Sequence, residues 1–230
     1  MLTGIANTMA LSIYPFKRFD YAVLESDEAY LSRLYDYIDT DYLVVTNLFR
    51  DQLDRYGELN TTAKKIQEAI DKNPDIKLIL NADDPIVVNF TTKRNTKPIY
   101  FGFEEITYED KQAESKAPME LYNCSQCGAV LKYLKRFYAQ QGHYYCDCGS
   151  TRPICNYVAK AHIYKDYSIL QITHGESEYE FKTHLTGVYN AYNVLAAVVT
   201  SIELGYEDLQ DGLYSYKSIF GRCETKVLGG

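Results

Sequence analysis

The sequence predicts an α/β fold: a mostly parallel sheet, interrupted by a small cysteine module and continued by an antiparallel hairpin. Two observations predict it. Short apolar runs alternate with helix-like segments through residues 20–101, and four cysteines then fall in two close pairs within residues 119–153. Short strands alternating with amphipathic helices favour βαβ units and a parallel sheet.

The elements follow in chain order. Residues 20–25 (DYAVLE) and 41–46 (DYLVVT) read as strands, with a helical segment at 27–37 between them. Asn60, Thr61 and Thr62 can cap a helix over 63–72, where Ala63, Ile66, Ala69 and Ile70 fall at helical spacing. Pro74 ends that helix, and residues 76–80 (IKLIL) make a third strand. The NADDP run at 81–85 is a turn or helix start, and 97–101 (KPIYF) a fourth strand. Residues 104–118 are polar and read as a connector. Residues 157–185 alternate apolar and polar around the turn Thr173-His174-Gly175-Glu176, which predicts an antiparallel hairpin. Helical spacing returns over 190–204 and closes at Gly205.

Composition excludes several roles. The 230 residues carry 24 Lys+Arg against 31 Asp+Glu, a net charge of -7, where a phosphate-backbone binder needs a basic surface. Nucleic acid is therefore not the expected partner. The longest apolar runs, such as 42–45 and 194–199, are far shorter than the ~20 residues that span a bilayer. The first residues, MLTGIANT, lack the basic and apolar regions of a signal peptide, and both ends read as cuts in a longer chain.

Cys124-x-x-Cys127 is followed after 18 residues by Cys146-x-Cys148, with Gly128 and Gly149 just after each pair. Zinc takes four thiolates at tetrahedral positions about 2.3 Å away, and two tight turns presenting two cysteines each supply them. This spacing predicts a zinc ribbon with hairpin arms within 131–145. Two disulfides are the competing reading, and an α/β body without a secretory signal favours metal. The second pair is one residue shorter than the usual knuckle, which makes His143 a substitute candidate. Four Cys ligands leave no open position, so the zinc is expected to be structural. Cys155 and Cys223 have no spacing partner and read as buried or half-buried bystanders.

Carboxylates cluster at two expected strand ends: Glu25-Ser26-Asp27-Glu28, and the 46–57 run with Asp51 and Asp54. In parallel α/β sheets ligands bind outside the carboxyl ends of strands, where acids can hold Mg²⁺. Acids near helix starts are equally ordinary caps.

The strings LESDEAYL, TNLFRDQLDRYGEL, NADDP, the four-Cys ribbon, TGVYNAYNVLAA and FGRCE occur in this order along nearly the whole chain. In that order they resemble the central ATP-binding domain of the Mur ligase family, and more narrowly its branch of MurT-type subunits of lipid II isoglutaminyl synthase, which carry such a ribbon. The resemblance divides the chain into 1–118, the opening portion of that central domain; 119–155, the inserted ribbon; and 156–230, the remainder of the domain. Glu25 matches the acid that binds Mg²⁺ beside the ATP γ-phosphate. Asn190 and Asn193 match the Asn-x-x-Asn helix start that meets adenine, and Arg222 the arginine that approaches the nucleotide. Without the family, Asn190 reads as an N-cap and Asn193 as a neutral helix residue. Gln52 stands where many Mur ligases have a metal-binding His, and Lys65 lies near a lysine that some carbamylate, although a solvated helix lysine fits it better.

The resemblance implies ATP, Mg²⁺ and structural Zn²⁺ as cofactors and a GatD-type glutaminase subunit as partner. It further implies lipid II as substrate and a cytoplasmic location at the inner face of the membrane. The implied reaction is ATP-dependent amidation of the D-glutamate α-carboxyl. No G-x-x-x-x-G-K-S/T phosphate loop occurs in these residues. In the family that loop lies upstream, and a C-terminal domain carrying the catalytic acid lies downstream, so the piece is not expected to catalyse alone. An amino-acid-adding Mur ligase is the nearest alternative. A zinc-ribbon module that binds RNA or protein is another, with aromatics that could stack bases, opposed by the acidic total.

Overall fold

Helical spacing and strand alternation turn into five α-helices and eight strands in a computed structural model that describes residues 2–12, 18–48, 58–94, 96–110, 122–206 and 208–216. The chain divides into two compact units.

The first unit takes Met1–Leu43, Leu48–Lys77 and Phe90–Lys97. Its helices are α1 (Leu2–Ser12), α2 (Glu28–Leu34) and α3 (Glu58–Lys72). α2 packs on α3, and each buries apolar residues spaced three or four apart: Leu31 and Leu34 on α2, Ile66, Ala69 and Ile70 on α3. Lys72 Nζ closes the pair by donating to Ser32 O at 2.6 Å and Asp36 Oδ1 at 2.5 Å. Two expectations are corrected here. Thr61 and Thr62 lie inside α3, and a capping side chain needs non-helical backbone at its own position. Residues 21–27 form no strand, because no strand among the described residues pairs with them; Val23 is 88% exposed. A strand exists only where a neighbouring strand completes its ladder.

The second unit takes Val44–Asn47, Leu78–Asn89 and Pro98–Gly230. Its strands are β1 (Tyr42–Val45) and β2 (Lys77–Asn81), whose first residues belong to the first unit, β3 (Ile99–Tyr108), β4 (Lys132–Tyr138), β5 (Gln141–Tyr145), β6 (Tyr157–Ile163), β7 (Ser168–His174) and β8 (Ser177–Thr183). The main sheet has the order β1-β2-β3-β6-β7-β8, and β4-β5 form a second, two-stranded sheet. β2 pairs parallel with β3 and β3 parallel with β6, while β6, β7 and β8 form an antiparallel meander. The fold class is therefore the expected one, and the antiparallel region exceeds a hairpin by a single strand. Leu78, Ile79, Leu80, Phe101, Phe103 and Tyr157 fill the core.

β3 runs through Tyr108, where a polar connector was expected from residue 104. Pairing with β6 supplies its ladder, with a register shift between Phe103 and Glu105. Parallel neighbours need a crossover connection, and the one from β3 to β6 carries β4 and β5. α4 (Val188–Glu203) lies against β3, β6 and β7, buries Val188, Ala191, Tyr192 and Leu195, and gives way at Gly205 with φ +86°, as the glycine predicts. A short helix, α5 (Gln210–Ser215), lies against β8. Among the described residues no helix is long and apolar enough to cross a membrane.

Candidate metal centre and its buried anchor

The two cysteine pairs sit on two turns of the same build. Cys124 N–H donates to Ala129 O at 2.7 Å and Gly128 N–H returns to Cys124 O at 2.9 Å. Cys146 N–H donates to Ser150 O at 2.7 Å and Gly149 N–H to Cys146 O at 3.0 Å. Gly128 and Gly149 have φ of +77° and +95°, the left-handed region that a glycine reaches without strain.

Between these turns the four Sγ atoms of Cys124, Cys127, Cys146 and Cys148 lie within 4.8 Å of one another. The Cys124–Cys148 and Cys127–Cys146 separations are 3.7 and 3.5 Å. A disulfide needs about 2.05 Å, so the cysteines are free thiols. A tetrahedron of Zn–S bonds near 2.3 Å has edges of about 3.8 Å, close to these separations. The electrostatics point the same way. N–H groups of Cys127 and Gln126 pull the Cys124 thiol down to about 6. Cys127 feels the Ala129 N–H, yet its neighbours Cys146 and Cys148 push it up to about 12. Four thiolates this close repel one another, and a cation in place of the protons removes that conflict. His143 does not belong to this group: its Nε2 lies 2.8 Å from Phe103 O.

The ribbon's own core is small. Cys124, Leu131, Tyr144 and Cys146 form its buried apolar cluster, with Tyr122, Tyr133 and Val88 packed against them. Val88 comes from the 3-10 turn Val87–Asn89, so the turn that continues the NADDP segment covers the cluster.

That segment holds the feature sequence reasoning missed. Asp83 is fully buried, and its carboxylate receives donors from three regions of the unit. Arg152 Nε, just past the second cysteine turn, donates to Oδ1 at 2.5 Å; Phe103 N–H of β3 and Tyr192 Oη of α4 each donate to Oδ2 at 2.8 Å. Asn81 Oδ1 accepts the Asp83 N–H at 2.9 Å, and Gly142 N–H of β5 donates to Asp83 O at 2.9 Å. Asp84 Oδ1 caps the next turn through Ile86 N–H, and Gln140 Nε2 reaches Asp84 Oδ2 at 3.2 Å. Burial pushes the Asp83 carboxyl up, and Arg152 opposes the rise. At the β3 register shift, Phe103 O accepts from Arg152 Nη2 at 3.2 Å and Glu104 O from Lys135 Nζ at 2.9 Å. The only local signal for this node is an Asp-Asp-Pro following the apolar run IKLIL, because its partners lie far along the chain.

The other expected site residues fall on separate elements. Asn190 and Asn193 are half-buried, one turn apart on α4. Asn190 is no N-cap: Gly187 holds that position, and Asn190 Nδ2 donates to Thr186 O at 2.8 Å from within the helix. Glu25 is exposed in the irregular 21–27 segment, and Lys65 is exposed on α3. Cys155 is half-buried beside Arg152, and burial pushes its thiol up to about 12. Gln52, Arg222 and Cys223 lie outside the described residues.

Residues 5–132 match the family model of the Mur ligase middle domain. The chain belongs to the Mur ligase family. Among curated proteins it is similar to the MurT subunit of lipid II isoglutaminyl synthase (glutamine-hydrolyzing) from Streptococcus pneumoniae R6, 36% identical over 244 residues. It is also similar to the same subunit from Staphylococcus aureus COL, 34% identical over 226 residues. These alignments take in 100% and 97% of this chain but 51% and 49% of the relatives, so the chain spans about half the length of these curated relatives. Among solved structures, a pseudomurein peptide ligase type C from Methanothermus fervidus aligns with a TM-score of 0.64 at 30% identity, over 80% of this chain and 36% of that one. The Thermotoga maritima MurF ligase, solved in complex with ADP, shares the fold alone: TM-score 0.51 at 15% identity, over 83% of this chain and 34% of that one.

Proposed function

We propose that the chain is the central ATP-binding region of the ligase subunit of a lipid II isoglutaminyl synthase. The observation that carries this reading is similarity along the whole chain, 34–36% identical, to MurT subunits of that enzyme. In this reading residues 1–118 and 156–230 are the central domain and 119–155 its inserted ribbon.

The reaction divides into two displacements. The D-glutamate α-carboxylate of the lipid II stem peptide attacks the ATP γ-phosphorus, ADP leaves, and an acyl phosphate forms. Ammonia, released by a glutaminase subunit, then attacks the acyl carbon and expels phosphate, giving the D-isoglutamine amide. Activation is required because a carboxylate is a poor electrophile. Asn190 and Asn193 present amides that can both donate to and accept from an adenine edge. Arg222 offers a guanidinium to nucleotide oxygens, and Glu25 a hard oxygen ligand for Mg²⁺. Mg²⁺ would offset charge on the transferred phosphoryl group. The four thiols suit structural Zn²⁺ with no open position, so no step of the reaction needs it. The work is done at the cytoplasmic face of the membrane, where ATP and the lipid-anchored substrate meet.

The test is isoglutamine formation on lipid II by the full-length protein with its glutaminase partner, followed by mass spectrometry. ATP- and glutamine-dependent gain of the amide is expected, and Asn193→Ala should raise the KM for ATP. Absence of amidation overturns the reading. The 30% identity to a peptide ligase keeps an amino-acid-adding ligase as the second reading, which the same assay detects as addition of a residue.

A further inference from the structure

We infer that Asp83, with Arg152 and Tyr192, is a positioning relay through which the metal-loaded ribbon holds the first turns of α4. This rests on the reading of Asn190 and Asn193 as adenine-recognising residues, because the relay ends between them.

The relay begins at the metal turns. Cys148 is followed by Gly149, Ser150 and Thr151, and the segment is pinned to β5: Cys146 N–H donates to Ser150 O at 2.7 Å, Thr151 bridges Tyr145, and Arg152 N–H donates to Tyr144 O at 3.0 Å. The backbone of Arg152 is thus set by the turn that carries Cys146 and Cys148. The four-residue apolar cluster of the ribbon is too small a core to hold that turn without metal.

Arg152 then neutralises Asp83, whose side chain is 0% exposed against 13% for Arg152. A buried carboxylate that loses its guanidinium must protonate or turn towards other donors. Either response disturbs the Tyr192 hydroxyl, which sits on its second oxygen at 2.8 Å. Tyr192 is itself buried, and its ring stands edge-on to Phe103 with centroids 4.9 Å apart. A phenylalanine would pack there equally well, so the hydroxyl is present for Asp83. Its place in the helix, two residues after Asn190 and one before Asn193, makes this hydrogen bond a fix on the rotation of the turn that bears both amides. Gly102 belongs to the same arrangement. A Cβ there would come within 2.6 Å of Arg152 Nη2 and 2.7 Å of Asp83 Oδ1, so β3 is bare where the pair crosses it.

Two measurements on full-length protein decide the matter. The first is amide hydrogen exchange of peptides covering 188–195, zinc-loaded and after chelation. Wild type is expected to exchange about tenfold faster there once zinc is removed, while β7 and β8 stay unchanged. In Tyr192→Phe the link is already cut, so removal should alter exchange less than about threefold. No response of 188–195 in wild type overturns the relay, and so does an equal response in Tyr192→Phe. A uniform rise that includes β7 and β8 also overturns it, since the metal would then hold the whole unit. The second measurement is ADP affinity by calorimetry, expected to fall about tenfold on zinc removal in wild type and less than threefold in Tyr192→Phe. Failure of loaded wild type to bind ADP overturns the adenine reading, whereas the exchange comparison, which uses no nucleotide, decides the relay by itself.

Discussion

Tyr192 and Asp83 stand 109 residues apart in the chain and share a 2.8 Å hydrogen bond inside the second unit. Arg152, a further element away from both, closes on the other carboxylate oxygen at 2.5 Å. The sheet, the ribbon and α4 therefore meet at one buried charge, and that charge makes the unit sensitive to single substitutions.

Arg152→Met keeps much of the side-chain volume and strips the charge. It should cost about 3–5 kcal/mol, the range for leaving one member of a buried ion pair uncompensated. Tyr192→Phe removes one hydrogen bond to a charged acceptor and should cost about 1–3 kcal/mol. Urea unfolding checks both, and equal costs for the two variants would contradict the assignment of Arg152 as the compensating charge.

Gly102→Ala tests the close approach. With Arg152 Nη2 at 2.6 Å and Asp83 Oδ1 at 2.7 Å from the new methyl, a loss of about 1–3 kcal/mol is expected from overpacking. Gly4→Ala is the control: nothing lies within 4 Å of its Cβ, it sits in the exposed α1, and alanine there should stabilise by about 0.5–1 kcal/mol. Thermal denaturation of the two variants should move in opposite directions.

Purified protein should carry about one zinc per chain, measured by atomic emission, and Cys124→Ser should lose it. Chelation should release four thiols to a chromogenic disulfide reagent from a group that is unreactive when loaded. Metal content that survives Cys124→Ser would show that another set of ligands binds it.

The Cys155 thiol gives a pH dependence of known sign. Burial raises it to about 12 from an ordinary 9.0, so the folded protein holds this proton more tightly than the unfolded chain does. Its contribution to stability is complete below pH 9 and is lost as pH rises from 9 to about 12. Tyr144 and Tyr192, also raised by burial, add losses of the same sign at high pH. Cys155→Ala should flatten the decline without abolishing it, as followed by urea midpoints across this range. At pH 8 the native Cys155 thiol should resist iodoacetamide, and its rapid alkylation in folded protein would contradict a half-buried, protonated thiol.

Much of this was legible in the chain. The four-cysteine cluster was readable because its chemistry is local: C-x-x-C and C-x-C each fit one turn, and the glycines after them mark the left-handed backbone those turns need. β1, β2, the end of α3 before Pro74 and the end of α4 at Gly205 were readable for the same reason, since apolar spacing, proline and glycine act within a few residues. Residues 20–25 were misread because a strand exists only if a neighbour pairs with it, and the sequence of DYAVLE carries no record of that neighbour. β3 was underestimated in the opposite sense, since pairing with β6 carries polar residues such as Glu105 and Thr107 into a strand. Asp83 is the extreme case. In sequence it is one acid in a turn, indistinguishable from Asp84, which does cap the following turn. Its role depends on Phe103, Arg152 and Tyr192, each brought to it by a different element. Local chemistry is encoded in neighbouring letters, whereas the environment of a buried charge is decided only when the chain closes around it and removes the water that would otherwise have solvated it.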